Sequence, residues 1–153
     1  MLRILIIEDD KNKLNQVRAV LEENLTNCFI SEKFSYNSGL KEITSVEYDL
    51  LLLDMSMPTF DITKNESGGR PKQFAGKEIL RKMSRRNINI PTIVITQFET
   101  FGDVENSISL NEMNRELSNK YQNYKGAIFY SSSEKKWSNE LLRCIKGELY
   151  EES

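Results

Sequence analysis

Three places in the chain put oxygen-bearing side chains directly after an aliphatic run: Glu8, Asp9 and Asp10 after Leu2–Ile7, Asp54 after Leu50–Leu53, and Thr96 after residues 93–95. Taken singly, each has an ordinary structural use, since an Asp caps a helix or opens a turn and a lone Thr carries no chemistry. Brought together they would form a site. Several carboxylates held close repel one another unless a cation joins them. Magnesium suits such a group, because it takes oxygen ligands from one or two carboxylates and keeps waters and phosphate oxygens for the rest. The chain contains no histidine, which excludes Ser-His-Asp and Cys-His catalysis, Cys2His2 zinc sites and the role of phosphohistidine donor. Its two cysteines, Cys28 and Cys144, are too few for a disulfide framework.

For those residues to meet, the aliphatic runs must be strands of one parallel sheet. Leu2–Ile7 and Leu50–Leu53 are unbroken, and residues 93–95 follow Pro91; such runs fit strands buried on both faces. Residues 28–34 and 127–130 are weaker strand candidates. Between them lie segments with helical spacing: Leu14, Val17, Leu21 and Leu25; Ile79, Leu80 and Met83; Leu110, Met113, Leu117 and Tyr121; Trp137, Leu141, Cys144, Ile145 and Leu149. A short helix around residues 40–43 fills the remaining gap. This alternation predicts an α/β fold, a doubly wound five-stranded parallel sheet of order 2-1-3-4-5 with helices on both faces. Ligands of such sheets bind outside the carboxyl ends of the strands. Strands one and three are neighbours there, so Asp9 and Asp54 should face each other across one or two strand spacings of about 4.8 Å.

A length of 153 residues is that of one domain, placed at residues 1–150 with a frayed tail at 151–153. Two stretches exceed the minimal plan. Residues 59–72 are polar, carry Gly68, Gly69 and Pro71, and read as a mobile loop or flap. Residues 100–124 are longer than one crossover helix requires and read as a loop followed by an extended fourth helix, over about residues 103–124. A net charge of −2 argues against a nucleic-acid surface. The one basic cluster, Arg81, Lys82, Arg85 and Arg86, falls late in a helix, where cations complement the dipole. No run approaches the roughly 20 apolar residues of a membrane helix, and the apolar start is too short for a signal peptide, so a reducing cytoplasm is the expected location.

The sequence resembles the receiver domain of two-component response regulators. Residues 4–10, Ile-Leu-Ile-Ile-Glu-Asp-Asp, look like its first strand and acidic pair. Residues 50–58, Leu-Leu-Leu-Leu-Asp-Met-Ser-Met-Pro, look like its phosphoacceptor motif. Residues 91–96, Pro-Thr-Ile-Val-Ile-Thr, resemble its fourth strand and switch hydroxyl, residues 76–80 the start of its third helix, and Gly126-Ala127 the turn into its fifth strand. The resemblance implies a flavodoxin-like sheet and a phosphoryl group accepted by Asp54 from the phosphohistidine of a sensor histidine kinase or phosphotransfer protein. A carboxylate can indeed act as a nucleophile toward phosphorus, leaving positioning and charge neutralisation to the protein. It further implies Mg2+ held by Asp9, Asp54 and the backbone carbonyl of Ser56, with Glu8 in support. Thr96 would bond the phosphoryl oxygens, and an aromatic on strand five, Phe129 or Tyr130, would then move.

The resemblance fails at two positions. The family places a lysine at the end of strand five, usually before a proline, and this chain has none. Strand-five register puts Tyr130 or Ser133 there, and counting back from helix five gives Glu134. Lys135 and Lys136 are candidate replacement cations, as are Lys64, Arg70 and Lys72 in the inserted loop, each against the plainer reading of a solvated surface charge. Gln97 stands where the family usually has a small residue; it either restricts access or points outward. Trp137 reads as an anchor for helix five.

Three functions follow: a phosphoacceptor receiver with a displaced or missing lysine; a pseudo-receiver that binds proteins without regulation by phosphorylation; and a magnesium-dependent phosphatase of the haloacid dehalogenase type. The last needs a second Asp two residues after the first, where this chain has Ser56, so no enzyme is expected. With no effector domain after helix five, output is expected through a protein target or a homodimer on the face of helix four, strand five and helix five, around positions such as Asn114 and Lys120.

Overall fold

The structure, a computed structural model, describes residues 1–62, 68–69 and 71–149. In chain order its elements are β1 (Leu2–Ile7), α1 (Lys11–Asn24), β2 (Cys28–Lys33), α2 (Tyr36–Ser45), β3 (Leu50–Leu53), β4 (Met57–Pro58), β5 (Pro71–Lys72), α3 (Ala75–Arg85), β6 (Thr92–Thr96), β7 (Thr100–Gly102), β8 (Ser107–Ser109), α4 (Leu110–Lys120), β9 (Tyr124–Phe129) and α5 (Lys136–Leu149). Five strands form the main sheet in the order β2-β1-β3-β6-β9, every pair parallel. Counted alone, these five give the expected 2-1-3-4-5.

Side-chain parity divides the core. From β1, β3 and β6, the residues Ile4, Ile6, Leu50, Leu52, Ile93 and Ile95 meet Leu14, Val17 and Leu21 of α1 and Trp137, Leu141 and Ile145 of α5. The alternate residues Leu5, Ile7, Leu51 and Leu53 meet Tyr36 and Ile43 of α2 and Ala75, Ile79 and Met83 of α3. Val94 packs with Leu80, Met113 and Leu117 beside α4. Strands β1 and β3 are covered on both faces, which is why Leu50–Leu53 could be written as four leucines. Replacing one of these with Ala would cost roughly 2–5 kcal/mol.

Helix starts are fixed by short polar side chains. Asp10 Oδ1 accepts the N–H groups of Asn12 and Lys13 at 3.0 and 3.3 Å, so α1 begins at Lys11. Ser35 caps α2 and Ser109 caps α4 through the N–H groups of Ser38 and Glu112.

Two expectations are corrected. The fourth helix is not extended over residues 103–124: it runs for 11 residues, and an antiparallel hairpin of β7 and β8 precedes it. Asp103 Oδ1 turns that hairpin by accepting the N–H groups of Glu105 and Asn106. Gly102 sits at φ 99°, where its missing side chain lies against the Asn106 carbonyl, and Phe101 is buried against the α4 cluster. The segment 59–72 is not a free flap at its ends. There β4 and β5 pair, Met57 with Lys72 and Pro58 with Pro71, the Phe60 N–H donates to the Gly68 carbonyl at 3.0 Å, and the Asn37 N–H of α2 donates to the Thr59 carbonyl at 3.0 Å. The expected tail at 151–153 lies outside the described residues.

Candidate functional site

Register brings the carboxylates together. Ile7 pairs with Leu53, so the residues that follow them leave adjacent strands side by side, and the Asp54 N–H still donates to the Ile7 carbonyl at 3.3 Å. Glu8, Asp9 and Asp54 can each offer a carboxylate oxygen within 4.8 Å of the other two. Their surroundings differ. Glu8 and Asp54 are buried and Asp9 is exposed. Burial pushes the Glu8 carboxyl up to about 7, outweighing the pull of Lys13, with a further push from Asp54. Asp9 is also raised, again chiefly through desolvation. Asp10 belongs to the cap of α1.

Asp54 is held from both sides. Its Oδ1 accepts the Met55 N–H at 2.7 Å, and the Met55 carbonyl in turn accepts the Gly76 N–H of α3 at 3.0 Å. Its Oδ2 lies 3.0 Å from the ammonium of Lys13. Asp9, Asp54 and Ser56 open onto a cavity of about 330 Å³, rimmed by Pro58, Ile62, Gly69, Gln97 and Phe98. Thr96 is fully buried at the end of β6, and its Oγ1 accepts the Phe98 N–H at 3.2 Å.

Among the described residues the cation at this site is Lys13, which sequence reasoning missed. Its side chain is 1% exposed, and Nζ lies 2.6 Å from Glu8 Oε1, 3.0 Å from Asp54 Oδ2, 2.6 Å from the Ile95 carbonyl and 3.2 Å from Gln97 Oε1. It also stands 5.8 Å over the ring of Tyr130. Gln97 therefore points inward and holds the ammonium. The readable signal was a charge in the apolar stripe of helix one, since Lys13 sits four residues before Val17.

The described candidate replacement cations lie elsewhere. Lys136 is 81% exposed and faces Glu140 at 4.0 Å. Lys135 lines a groove between α1 and α5 with Gln16, Val20 and Trp137. Lys72 pairs with Glu78 at 3.1 Å over the ring of Tyr36, and Lys64 and Arg70 lie outside the described residues. Of the two strand-five aromatics, Phe129 is 41% exposed and Tyr130 is buried. The Tyr130 hydroxyl donates to Gln16 Oε1 of α1 at 2.7 Å, its ring centroid lies 5.0 Å from that of Trp137 on α5, and its N–H donates to the Thr96 carbonyl at 2.8 Å.

A five-stranded doubly wound sheet with an acidic trio outside its carboxyl ends, a following Met-Ser-Met-Pro and a buried hydroxyl on the next strand defines a signalling receiver. Comparison with known proteins agrees. The family model "Response regulator receiver domain" matches residues 4–115, and the chain belongs to that family. It is 34% identical over 147 residues to the Detocs response regulatory protein DtcB of Enterobacter cloacae, covering 94% of this chain and 98% of that one. It is 30% identical to the uncharacterized protein y4jR of Sinorhizobium fredii, covering 92% and 94%. Among solved structures, the receiver domain of the Francisella response regulator 1452 superposes with a TM-score of 0.62 at 20% identity over 94% of this chain and 93% of that one. Thermotoga maritima TrrA, solved in complex with Mg(2+)-BeF, superposes with a TM-score of 0.60 at 19% identity, covering 94% and 99%. These two likenesses concern the fold. No helix among the described residues is long and apolar enough to cross a membrane.

Proposed function

We propose that this receiver accepts a phosphoryl group on Asp54 from the phosphohistidine of a sensor histidine kinase or phosphotransfer protein, in the cytoplasm. The convergence of Glu8, Asp9 and Asp54 on one point carries the reading. In the step itself an Asp54 carboxylate oxygen attacks phosphorus and the P–N bond breaks. The electron pair leaves on the imidazole nitrogen, which takes a proton from solvent, and an acyl phosphate remains. The Met55 N–H and Lys13 fix the carboxylate plane before attack. The residues fit Mg2+: the donors are all oxygens, and Asp9, Asp54 and Glu8 together present more negative charge than the one Lys13 ammonium offsets. Asp9, Asp54 and the Ser56 carbonyl would hold it, with Glu8 in support, and when bound it supplies charge neutralisation for the incoming phosphoryl oxygens. Thr96 would turn its hydroxyl from the Phe98 N–H to a phosphoryl oxygen, altering the loop after β6 and the α4–β9–α5 face offered to a protein target or a second copy.

Intact-mass measurement after incubation with magnesium and acetyl phosphate, beside Asp54→Asn and a magnesium-free control, tests this. A single phosphoryl adduct absent from both controls is expected. An unmodified wild-type chain that also fails to bind magnesium would establish the second reading, a pseudo-receiver. That alternative is favoured by the Lys13 bridge, which already satisfies Glu8 and Asp54 without a metal.

A further inference from the structure

We infer that Lys13, reaching in from helix α1, is the ammonium that receives the phosphoryl group at Asp54, in place of a lysine on the last strand. This rests on the phosphoacceptor reading above and assigns it a residue.

The residue after β9 is Tyr130, which cannot supply a cation; its ring instead lies under the Lys13 ammonium at 5.8 Å, so charge is delivered to the end of the last strand from α1. Lys13 starts in the first turn of α1, placed there by its own N–H bond to Asp10, and its stem runs buried to the carboxylates. A lysine ammonium has three hydrogens, yet four acceptors stand within 3.2 Å: Glu8, Asp54, the Ile95 carbonyl and Gln97. It is therefore oversupplied with partners. When the Asp54 carboxylate becomes an acyl phosphate, the hydrogen on Oδ2 can pass to a phosphoryl oxygen while the other contacts hold the ammonium in place. Gln97 and the absence of a lysine at the end of β9, where Tyr130 stands, are then parts of one arrangement, because the amide that steadies Lys13 is the bulky residue after Thr96.

The full-length chain carrying Lys13→Met should lose adduct formation from acetyl phosphate by about 10²–10³-fold, the usual effect of removing one electrostatic stabiliser. It should still bind magnesium at least as tightly as the wild type, by titration calorimetry, because the carboxylates remain and a competing charge is gone. Lys135→Met and Lys136→Met should stay within about twofold of wild type. Lys13→Gln, which keeps a donor without the charge, serves if the Met variant does not fold. On the unaltered protein, the 15N resonance of the Lys13 ammonium should shift when beryllofluoride and magnesium are added together. Wild-type adduct rates in both Lys13 variants, loss of magnesium binding in step with the adduct, or an unmoved ammonium resonance would each overturn this assignment alone. A wild-type chain that takes no phosphoryl group would overturn it together with the phosphoacceptor reading.

Discussion

Removing the Lys13 charge should be expensive for the fold itself, and by an amount that separates a buried ion pair from a surface one. The ammonium is 1% exposed, Glu8 4% and Asp54 2%, so solvent screens none of the three. Lys13→Met keeps an unbranched stem in the buried position but strands the Asp54 carboxylate and leaves Glu8, already pushed up to about 7, without its cation. Breaking a buried pair this way typically costs about 3–5 kcal/mol, against about 0–1 kcal/mol for an exposed pair. For a chain of this length that loss lowers the melting temperature by about 6–20 °C. Urea unfolding of the wild type, Lys13→Met and the triple variant Lys13→Met, Glu8→Gln, Asp54→Asn, all without magnesium, provides the assay. The triple variant has no charge left to strand and should recover to within about 2 kcal/mol of wild type, because neutral replacement of a buried ionic group is often tolerated. A single variant that loses less than about 1 kcal/mol, or a triple variant no more stable than the single, would refute the argument.

Other perturbations have defined outcomes. Asp10→Ala removes the acceptor for two N–H groups at the start of α1 and should cost about 1 kcal/mol in urea unfolding, with a slower adduct because Lys13 starts in that turn. Gly76→Ala would place a Cβ 2.9 Å from the Asp54 carbonyl and 3.1 Å from Met55 Cα, so about 1–3 kcal/mol of stability should be lost and the acceptor loop displaced, read as weaker magnesium binding by calorimetry. Burial raises the Cys144 thiol above its usual range, which lowers its thiolate fraction at pH 7. Iodoacetamide should therefore alkylate it more slowly in the native protein than after denaturation, and equal rates would contradict the burial.

The sheet order was legible because the aliphatic runs were long and their ends acidic, and the same ends located Glu8, Asp9 and Asp54 beside one another. The hairpin β7–β8 was not, since two three-residue strands carry too few side chains for a period to register; only Gly102 and Asp103 mark the turn. Helix α4 was overextended for a related reason. The apolar spacing reaches Tyr121, yet Tyr121 lies just beyond the helix, with its N–H still bonded to Leu117, and Ser109 starts the helix. The site cation was hidden because the family pattern points to strand five, whereas this cation comes from α1. A lysine inside an apolar stripe reads as a surface residue unless its partners are known, and those partners are 5, 41, 82 and 84 residues away along the chain.

Those contacts have a mechanical meaning. One ammonium touches the residues that end or follow β1, β3 and β6, and it rests on the residue that follows β9, so the carboxyl rim of four adjacent strands shares a single fastening. None of these four strand ends can fray without breaking a contact that the others also use. The backbone amides of Asp54, Met55 and Tyr130, all bonded at that rim, should then exchange with solvent through one common opening, and the rim should behave as one cooperative unit.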